Sequence, residues 1–231
     1  MRLPDLASRP LIVTVITLAV IRFLAVYLDR PIALAMVGVP PWLTDLAEWM
    51  TRFGRGDLYL VPLAVVLLLL LFASRVLAGE RRRAAARFWA WVTLFVGLSV
   101  ALSGLLNDVI KLIVGRPRPT TGPLENQPFT FDYAYQSFPS GHTAVAFGLA
   151  LSLGLLWPRW RLPLLVFALA VAASRVILHS HYPADVVGGA LVAWMTVTWL
   201  TSFLADRNIV FRRDSAGRPV PRFPELDIAP P

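Results

Sequence analysis

Long, nearly uninterrupted apolar runs alternate with short polar segments along this chain. A helix that crosses a bilayer needs about 20 mostly apolar residues, and six runs reach or approach that length. They lie near Leu11–Leu28, Tyr59–Leu77, Phe88–Val114, Thr143–Trp157, Leu162–Leu178 and Ala184–Leu204. The fourth run is short unless residues 140–142 form its first turn. The pattern predicts an all-α polytopic membrane bundle with six transmembrane helices, forming a single domain over residues 1–205.

The segments outside these runs predict three further features. Residues 31–57 mix tryptophans with charged residues at helical spacing, which favours a helix lying in the headgroup layer, with a plain loop as the alternative. Residues 206–231 are rich in proline and in charges of both signs, so we expect a poorly ordered cytoplasmic tail. The first run follows Arg2 and Arg9 as in a signal peptide, but no small-residue cleavage site follows it, so we expect it to be retained as a span.

Composition and charge narrow the class of protein. The chain is 57% hydrophobic and only 16% charged, which excludes an ordinary soluble domain. Cysteine is absent, which excludes disulfides and thiolate metal sites. The net charge is +8, but the arginines lie between apolar runs instead of covering one soluble face, so nucleic acid is not an expected partner.

The distribution of basic residues predicts the orientation of the chain. With the N-terminus inside, the inner segments carry 14 of the 22 basic residues and the outer segments carry seven, while Arg22 lies within the first run. The positive-inside rule therefore predicts that both termini are cytoplasmic. This topology places three short segments at the outer face, namely 111–119, 138–142 and 174–185. They contain all three histidines and the one lysine of the chain, so residues distant in sequence are expected to meet there.

The first two of these segments suit the binding of a phosphate group. Lys111 and Arg118 place cations at the end of the third run, and ammonium and guanidinium groups are strong phosphate ligands. Ser140, Gly141 and His142 open the fourth run, where helix amides bind anions and a glycine lets the backbone approach a ligand. Interfacial snorkelling of the cations and an ordinary capped helix start are the alternatives.

The third segment adds a nucleophile. Arg175 lies near the outer end of the fifth run, and His181 and Asp185 are four residues apart. At this spacing the carboxylate can accept the Nδ1 proton of the imidazole and leave Nε2 free to attack. The three segments together supply cations for the phosphoryl oxygens, one histidine to attack and a second, His142, to donate a proton. This combination indicates phosphoryl transfer through a phosphohistidine.

These three segments resemble the signature of the type-2 phosphatidic acid phosphatase superfamily, whose members include bacterial membrane lipid phosphatases. The matching motifs are Lys-x6-Arg-Pro from Lys111, Pro-Ser-Gly-His from Pro139, and Ser-Arg-x5-His-x3-Asp from Ser174 to Asp185. The resemblance implies that neither a metal nor another cofactor takes part, and that His179, outside the motifs, is noncatalytic. The residues that it implies for phosphate binding are Lys111, Arg118, Ser140, Gly141 and Arg175.

The resemblance also implies a role for each catalytic residue. His181 would attack phosphorus, oriented by Asp185, and His142 would protonate the leaving oxygen and then activate water. The expected reaction is removal of a terminal phosphate from a lipid phosphate at the periplasmic face of a bacterial inner membrane. Undecaprenyl diphosphate and the lipid A 1-phosphate group are the favoured substrates, and phosphatidylglycerol phosphate is a further candidate. The expected partners are this substrate and membrane lipids.

Several alternatives remain open from the sequence. The same site would serve a phosphotransferase that passes the phosphoryl group to a second lipid. A nonenzymatic lipid transporter is disfavoured because no inverted repeat is evident. A metalloenzyme would need His142, His179 and His181 as ligands, and a haloperoxidase is disfavoured because those relatives are soluble. Asp108 is spaced to pair with Lys111, with a structural pairing to another helix as an equal alternative, and the role of Arg22 is open.

Overall fold

Eight α-helices make up most of the computed structural model, which describes residues 10–121 and 125–223. The α-helices of this described part are α1 (Pro10–Phe23), α2 (Asp29–Ala35), α3 (Pro41–Thr51), α4 (Asp57–Val76), α5 (Glu80–Val114), α6 (Gly141–Leu156), α7 (Arg161–Ile177) and α8 (Pro183–Asp206). A π-helical turn, Leu24–Leu28, joins α1 to α2. The helical class predicted from hydropathy is confirmed.

Five helical segments in the described part, taken with their short connecting turns, are long and apolar enough to cross a membrane. They are Pro10–Ala35, Pro41–Val76, Glu80–Thr121, Pro158–Ile177 and Pro183–Asp206. The fourth predicted run corresponds to α6, which is apolar but has only 16 residues and begins at Gly141. The number of spans and the orientation of the termini stay predictions.

The segment expected to lie in the headgroup layer contains helix α3. It starts after Pro40, with Pro41 at a first-turn position where a missing amide costs nothing, and it packs against α7. Its depth in the membrane stays a prediction. The hydrogen bond between Arg175 and Thr51 places the C-terminal end of α3 next to the C-terminal end of α7.

Helices α6 and α8 occupy the centre of the bundle, and α5 packs against both. Helix α7 packs on α6, α4 on α5 and α1 on α8. Small side chains allow the central helices to approach closely: a β-carbon on Gly148 of α6 would lie 2.9 Å from the Ser99 carbonyl oxygen of α5. The bundle therefore fixes the ends of α5, α6, α7 and α8 relative to one another.

A β-hairpin follows α8. Strand β1 (Phe211–Arg213) pairs antiparallel with β2 (Pro219–Pro221), and the fully buried Phe211 ring packs edge-to-face on Phe95 with 4.9 Å between centroids. The expectation of a poorly ordered tail is therefore wrong for residues 207–223, because composition hid a short apolar segment that completes the core. Residues 224–231, like residues 1–9 with their signal-like arginines, lie outside the described residues.

Candidate active site

The three motif segments meet where the ends of four helices converge. Helix α5 ends at Gly115, whose φ of 56° is left-handed; a β-carbon there would lie 1.9 Å from the Gln127 carbonyl oxygen, so the returning loop requires glycine. The backbone amide of Ser140, just before α6, donates to the Asp185 carbonyl in α8 over 2.9 Å. Segments 45 positions apart in the chain are thus bonded into one site.

His181 lies in the short turn between α7 and α8 and is buried. Its Nδ1 atom is 2.7 Å from the carbonyl oxygen of Ser137. A carbonyl can only accept a hydrogen bond, so Nδ1 carries the proton and Nε2 keeps its lone pair. Nε2 lies 3.5 Å from Nη1 of Arg118. The imidazole is therefore held in the tautomer that a nucleophile needs, with its free nitrogen towards the cations.

Asp185 lies next to this imidazole but does not make the direct bond expected from the four-residue spacing. Its Oδ2 is 3.7 Å from Nδ1 of His181, too long for a hydrogen bond. The same Oδ2 accepts from the Ser137 hydroxyl over 2.5 Å and from the Tyr182 amide over 2.8 Å, and Oδ1 accepts from Arg116. The carboxylate therefore acts on His181 through its charge and by fixing Ser137, whose carbonyl holds the ring.

Burial controls the charge of His181. Removal from water lowers the pKa of the imidazole to about 4, the positive charges of Arg118 and Arg175 act in the same direction, and Asp185 opposes them. His181 is therefore neutral at physiological pH. A neutral ring with a free Nε2 is the reactive form of a histidine nucleophile.

The lowered pKa of His181 predicts how stability depends on pH. An exposed histidine titrates near pH 6.5, so between about pH 6.5 and pH 4 the unfolded chain binds a proton that the folded chain does not. The contribution of neutral His181 to the free energy of unfolding is fully present above about pH 6.5. It falls by about 3 kcal/mol as the pH drops through about 4. Thermal unfolding in detergent from pH 7 to pH 4 measures this slope. His181→Asn should flatten it, and an unchanged slope would contradict the assignment.

Three cations surround the two histidines. The positive charges of Arg175, Lys111 and Arg118 all act on the His142 ring, which shows that the residues predicted to bind phosphate converge on it. Arg118 is held by three backbone carbonyls, those of Ser180 at 2.8 Å, Tyr133 at 3.0 Å and Gln136 at 3.1 Å. Its guanidinium also stacks 3.8 Å from the centroid of the Tyr133 ring. Arg118 is therefore rigidly placed.

Lys111 and Arg175 complete the cationic lining. Lys111 Nζ lies 3.1 Å from the exposed Asp108 carboxylate, so of the two pairings left open for Asp108 the structure shows the one with Lys111. Arg175 donates through Nη1 to the Thr51 hydroxyl of α3. Its Nε is buried and has no hydrogen-bond partner in the described part of the chain. An unpaired buried donor is costly, so this N–H is suited to an oxygen of a bound anion.

The start of α6 supplies the remaining predicted residues. Ser140 is fully buried at the N-cap position, and its Oγ accepts from the Thr143 hydroxyl over 3.0 Å. A β-carbon on Gly141 would lie 3.3 Å from Nζ of Lys111 and 3.5 Å from the amide nitrogen of Asn107. Gly141 is therefore the point where the cation and the free amides of the helix start come together.

Gly54, in the 3₁₀ turn after α3, forms the wall behind His142. A β-carbon on Gly54 would lie 2.5 Å from Cβ and 2.6 Å from Cδ2 of His142, so one of the two must move. Because displacement of about 1 Å can cost about 100-fold in rate, Gly54→Ala should lower kcat at least about tenfold. Phosphate release is the assay. The control is Gly104→Ala in α5, where a β-carbon meets nothing within 4 Å; equal kcat in the two variants would refute the role of Gly54.

The sequence did not identify several residues that shape the site. Ser137 contacts His181, Thr51 contacts Arg175, and Gly54 contacts His142. Asn107 donates to the Pro139 carbonyl over 3.1 Å.

His179 has a left-handed φ of 54° and lines a different groove, with residues 36–39. In residues 10–121 and 125–223, no three histidine or acidic side chains are grouped to hold a metal ion.

Comparisons with known proteins agree with this geometry. Residues 92–209 match the model of the PAP2 superfamily. The chain is 31% identical over 202 residues to the lipid A 1-phosphatase of Rhizobium johnstonii, covering 83% of this chain and 80% of that one. It is 31% identical over 169 residues to the undecaprenyl-diphosphatase of Sulfolobus acidocaldarius, covering 71% and 69%.

A solved structure supports the fold. The PAP2 type phosphatidylglycerolphosphate phosphatase of Bacillus subtilis aligns with a TM-score of 0.61 and 23% identity, covering 87% of this chain and 96% of that one.

Apolar helices with cations and two histidines at one end define a membrane phosphatase. The family match covers more than half of the chain. The chain belongs to the PAP2 superfamily and is a membrane lipid phosphatase.

Proposed function

We propose that this protein removes a terminal phosphate from a lipid phosphate or diphosphate through a phosphohistidine on His181, without a metal ion. The site would face the periplasm of a bacterial inner membrane. The observation that carries the proposal is the geometry of His181, whose Nδ1 is bonded to a carbonyl at 2.7 Å while its Nε2 faces Arg118 at 3.5 Å. This arrangement leaves one lone pair available, directed to where cations would hold a phosphoryl group.

The reaction has two balanced steps. In the first, the Nε2 lone pair of His181 attacks phosphorus, and the bond from phosphorus to the lipid oxygen breaks with its electron pair on that oxygen. The negative charge of the bound phosphate offsets the three cations around His142, so that a protonated His142 can give its proton to this oxygen. In the second step His142, now neutral, takes a proton from water, the water oxygen attacks phosphorus, and the nitrogen–phosphorus bond breaks with its pair returning to Nε2. The products are the lipid alcohol, or the lipid monophosphate from a diphosphate, and inorganic phosphate.

The cations supply the electrostatic part of this mechanism. Negative charge is spread over the three equatorial oxygens of the phosphoryl group in the transition state. Three cationic groups are fixed before substrate arrives, namely Lys111, Arg118 and the unpaired Nε of Arg175. Little reorganisation of these side chains is therefore needed during the reaction. Three fixed positive charges can neutralise the phosphate as a metal ion does in other phosphatases, which supports the metal-free proposal.

The relatives guide the choice of substrate. They include a lipid A 1-phosphatase and an undecaprenyl-diphosphatase, so we favour the 1-phosphate of lipid A and undecaprenyl diphosphate. Purified enzyme is assayed for phosphate release from both, and from phosphatidylglycerol phosphate, with and without chelator. Release from at least one of the first two, unaffected by chelator, is the expected result. Activity lost in chelator and restored by a metal ion would contradict the metal-free mechanism.

A phosphoenzyme assay tests the covalent step. Enzyme mixed with a substrate labelled at the terminal phosphate and quenched within one turnover should carry label that is stable in alkali and released by acid, as a phosphohistidine is. Label on a second lipid instead of in free phosphate would identify a phosphotransferase. Turnover without any labelled enzyme at the earliest quench times would contradict the phosphohistidine.

A further inference from the structure

A chain of three charged residues ties the start of α2 to the active site. Arg116 donates through Nη2 to Oδ2 of Asp29 over 2.6 Å and through Nη1 to Oδ1 of Asp185. The Asp29 and Asp185 side chains are 3% and 0% exposed, and that of Arg116 is 18% exposed. Asp29 also accepts from the backbone amide of Ala184 over 2.9 Å through its other oxygen. One carboxylate at the start of α2 therefore holds both the arginine behind Asp185 and the start of α8.

The burial of Asp29 is unusual for its place in the chain. Along residues 10–35 it is the one residue that is fully buried, since α1 and the π-helical turn contain none. A π-helical turn often marks a functional position because it changes the direction in which the next side chains point. An ionisable residue in an apolar segment is costly unless it is paired. Besides the packing of α1 on α8, this helical segment is thus attached to the site through a buried carboxylate at the start of α2.

The network also sets the charge next to His181. Arg116 alone would neutralise Asp185, but it is shared with Asp29, so with both carboxylates ionised the three groups together carry one negative charge. That charge lies behind the imidazole, since Oδ2 of Asp185 is 3.7 Å from Nδ1 of His181. When Nε2 bonds to phosphorus while Nδ1 keeps its proton, the ring becomes cationic. A fixed negative charge nearby stabilises that state in a site of low dielectric.

We propose that Asp29 is a positioning residue for phosphoryl transfer, acting through Arg116 and Asp185 on the nucleophile His181. The inference rests on the proposed function of His181. It assigns a role to a residue outside the three motifs and more than 80 positions before the nearest of them. Asp29 does not contact the substrate, so its removal should affect the rate of the chemical step more than the binding of lipid.

The test uses Asp29→Asn, which keeps a carbonyl oxygen for the Ala184 amide but removes the charge. Loss of an outer partner of a catalytic or ligating group typically costs about 10- to 100-fold, so kcat should fall by about that factor while KM changes less than about twofold. The rate of phosphoenzyme formation should fall by the same factor as kcat. The matched control is Asp57→Asn, an exposed carboxylate paired with Arg55, which should keep the wild-type kcat.

The outcomes separate this inference from the proposed function. If His181→Asn is inactive but folded Asp29→Asn keeps the wild-type kcat, the role of Asp29 is refuted and the mechanism stands. A rise in KM at constant kcat would also refute it, because that pattern indicates substrate binding. If Asp29→Asn does not fold, Arg116→Lys is measured instead, since lysine keeps the charge but cannot bond both carboxylates in the same fork. A lower kcat at constant KM supports the network, and an unchanged kcat overturns it.

Discussion

Replacing His181 with asparagine is expected to lower phosphate release from lipid phosphates by at least about a thousandfold, because loss of a covalent nucleophile ordinarily costs more than that. Asparagine can still donate from its side-chain amide to the Ser137 carbonyl, the bond that Nδ1 makes over 2.7 Å. It has no atom equivalent to Nε2 with a lone pair that can attack phosphorus. The variant should bind substrate, remain folded and form no labelled phosphoenzyme.

His179 provides a matched control in the same turn. It has a left-handed φ of 54°, a conformation that asparagine adopts more readily than most residues. His179 is half-buried, and its Nε2 has no hydrogen-bond partner in the described part of the chain. His179→Asn breaks no bond of that atom, so the variant should fold and keep turnover within about twofold. Normal phosphate release by His181→Asn would refute the mechanism. Equal loss in both variants would mean that the shape of the turn matters and not the His181 nucleophile.

The candidate site was largely predictable because its residues lie at the ends of apolar runs. Lys111 is in the last turn of α5, His142 in the first turn of α6 and Arg175 in the last turn of α7. Hydropathy identifies these helix ends, and alternation across a membrane places them at one face. The convergence of their charges on His142 follows from that topology.

The residues behind the site were not predictable in the same way. Thr51 reaches Arg175 because α3 packs on α7, and Gly54 reaches His142 because the 3₁₀ turn after α3 packs on α6. Nothing in their local sequence signals these contacts. Asp29 did leave a signal, an acidic residue at the end of an apolar run, which is a reason to expect function. Its partners could not be inferred, because they lie 87 and 155 positions later in the chain.

Local spacing also gave an incomplete account of Asp185. The four-residue spacing between His181 and Asp185 predicted a direct bond between the carboxylate and Nδ1 of the imidazole. In the fold, the carboxylate instead accepts hydrogen bonds from Arg116, the Ser137 hydroxyl and the Tyr182 amide. The hairpin after α8 is a similar case, since a short apolar segment in a polar, proline-rich tail gains its partner, Phe95, only in the fold.

Replacing His142 with asparagine is expected to separate the two chemical steps. With a lipid phosphate the leaving oxygen is an alkoxide that needs a proton, so the rate should fall about 10²- to 10⁴-fold, the usual contribution of a general acid or base. With a water-soluble aryl phosphate the leaving phenolate is stable without that proton. The first step should then proceed, while the second, which needs His142 to activate water, should remain slow.

This difference gives the His142 variant a kinetic signature. Rapid mixing of His142→Asn with 4-nitrophenyl phosphate should release a burst of nitrophenolate close to one equivalent per active site, followed by a slow phase, as the phosphoenzyme accumulates. Acid-labile label should appear in the same proportion when the phosphate is radioactive. His181→Asn should give neither burst nor label. Because a purely structural role of His142 would reduce both steps and both substrates alike, proportional losses without a burst would exclude the acid and base roles assigned to it.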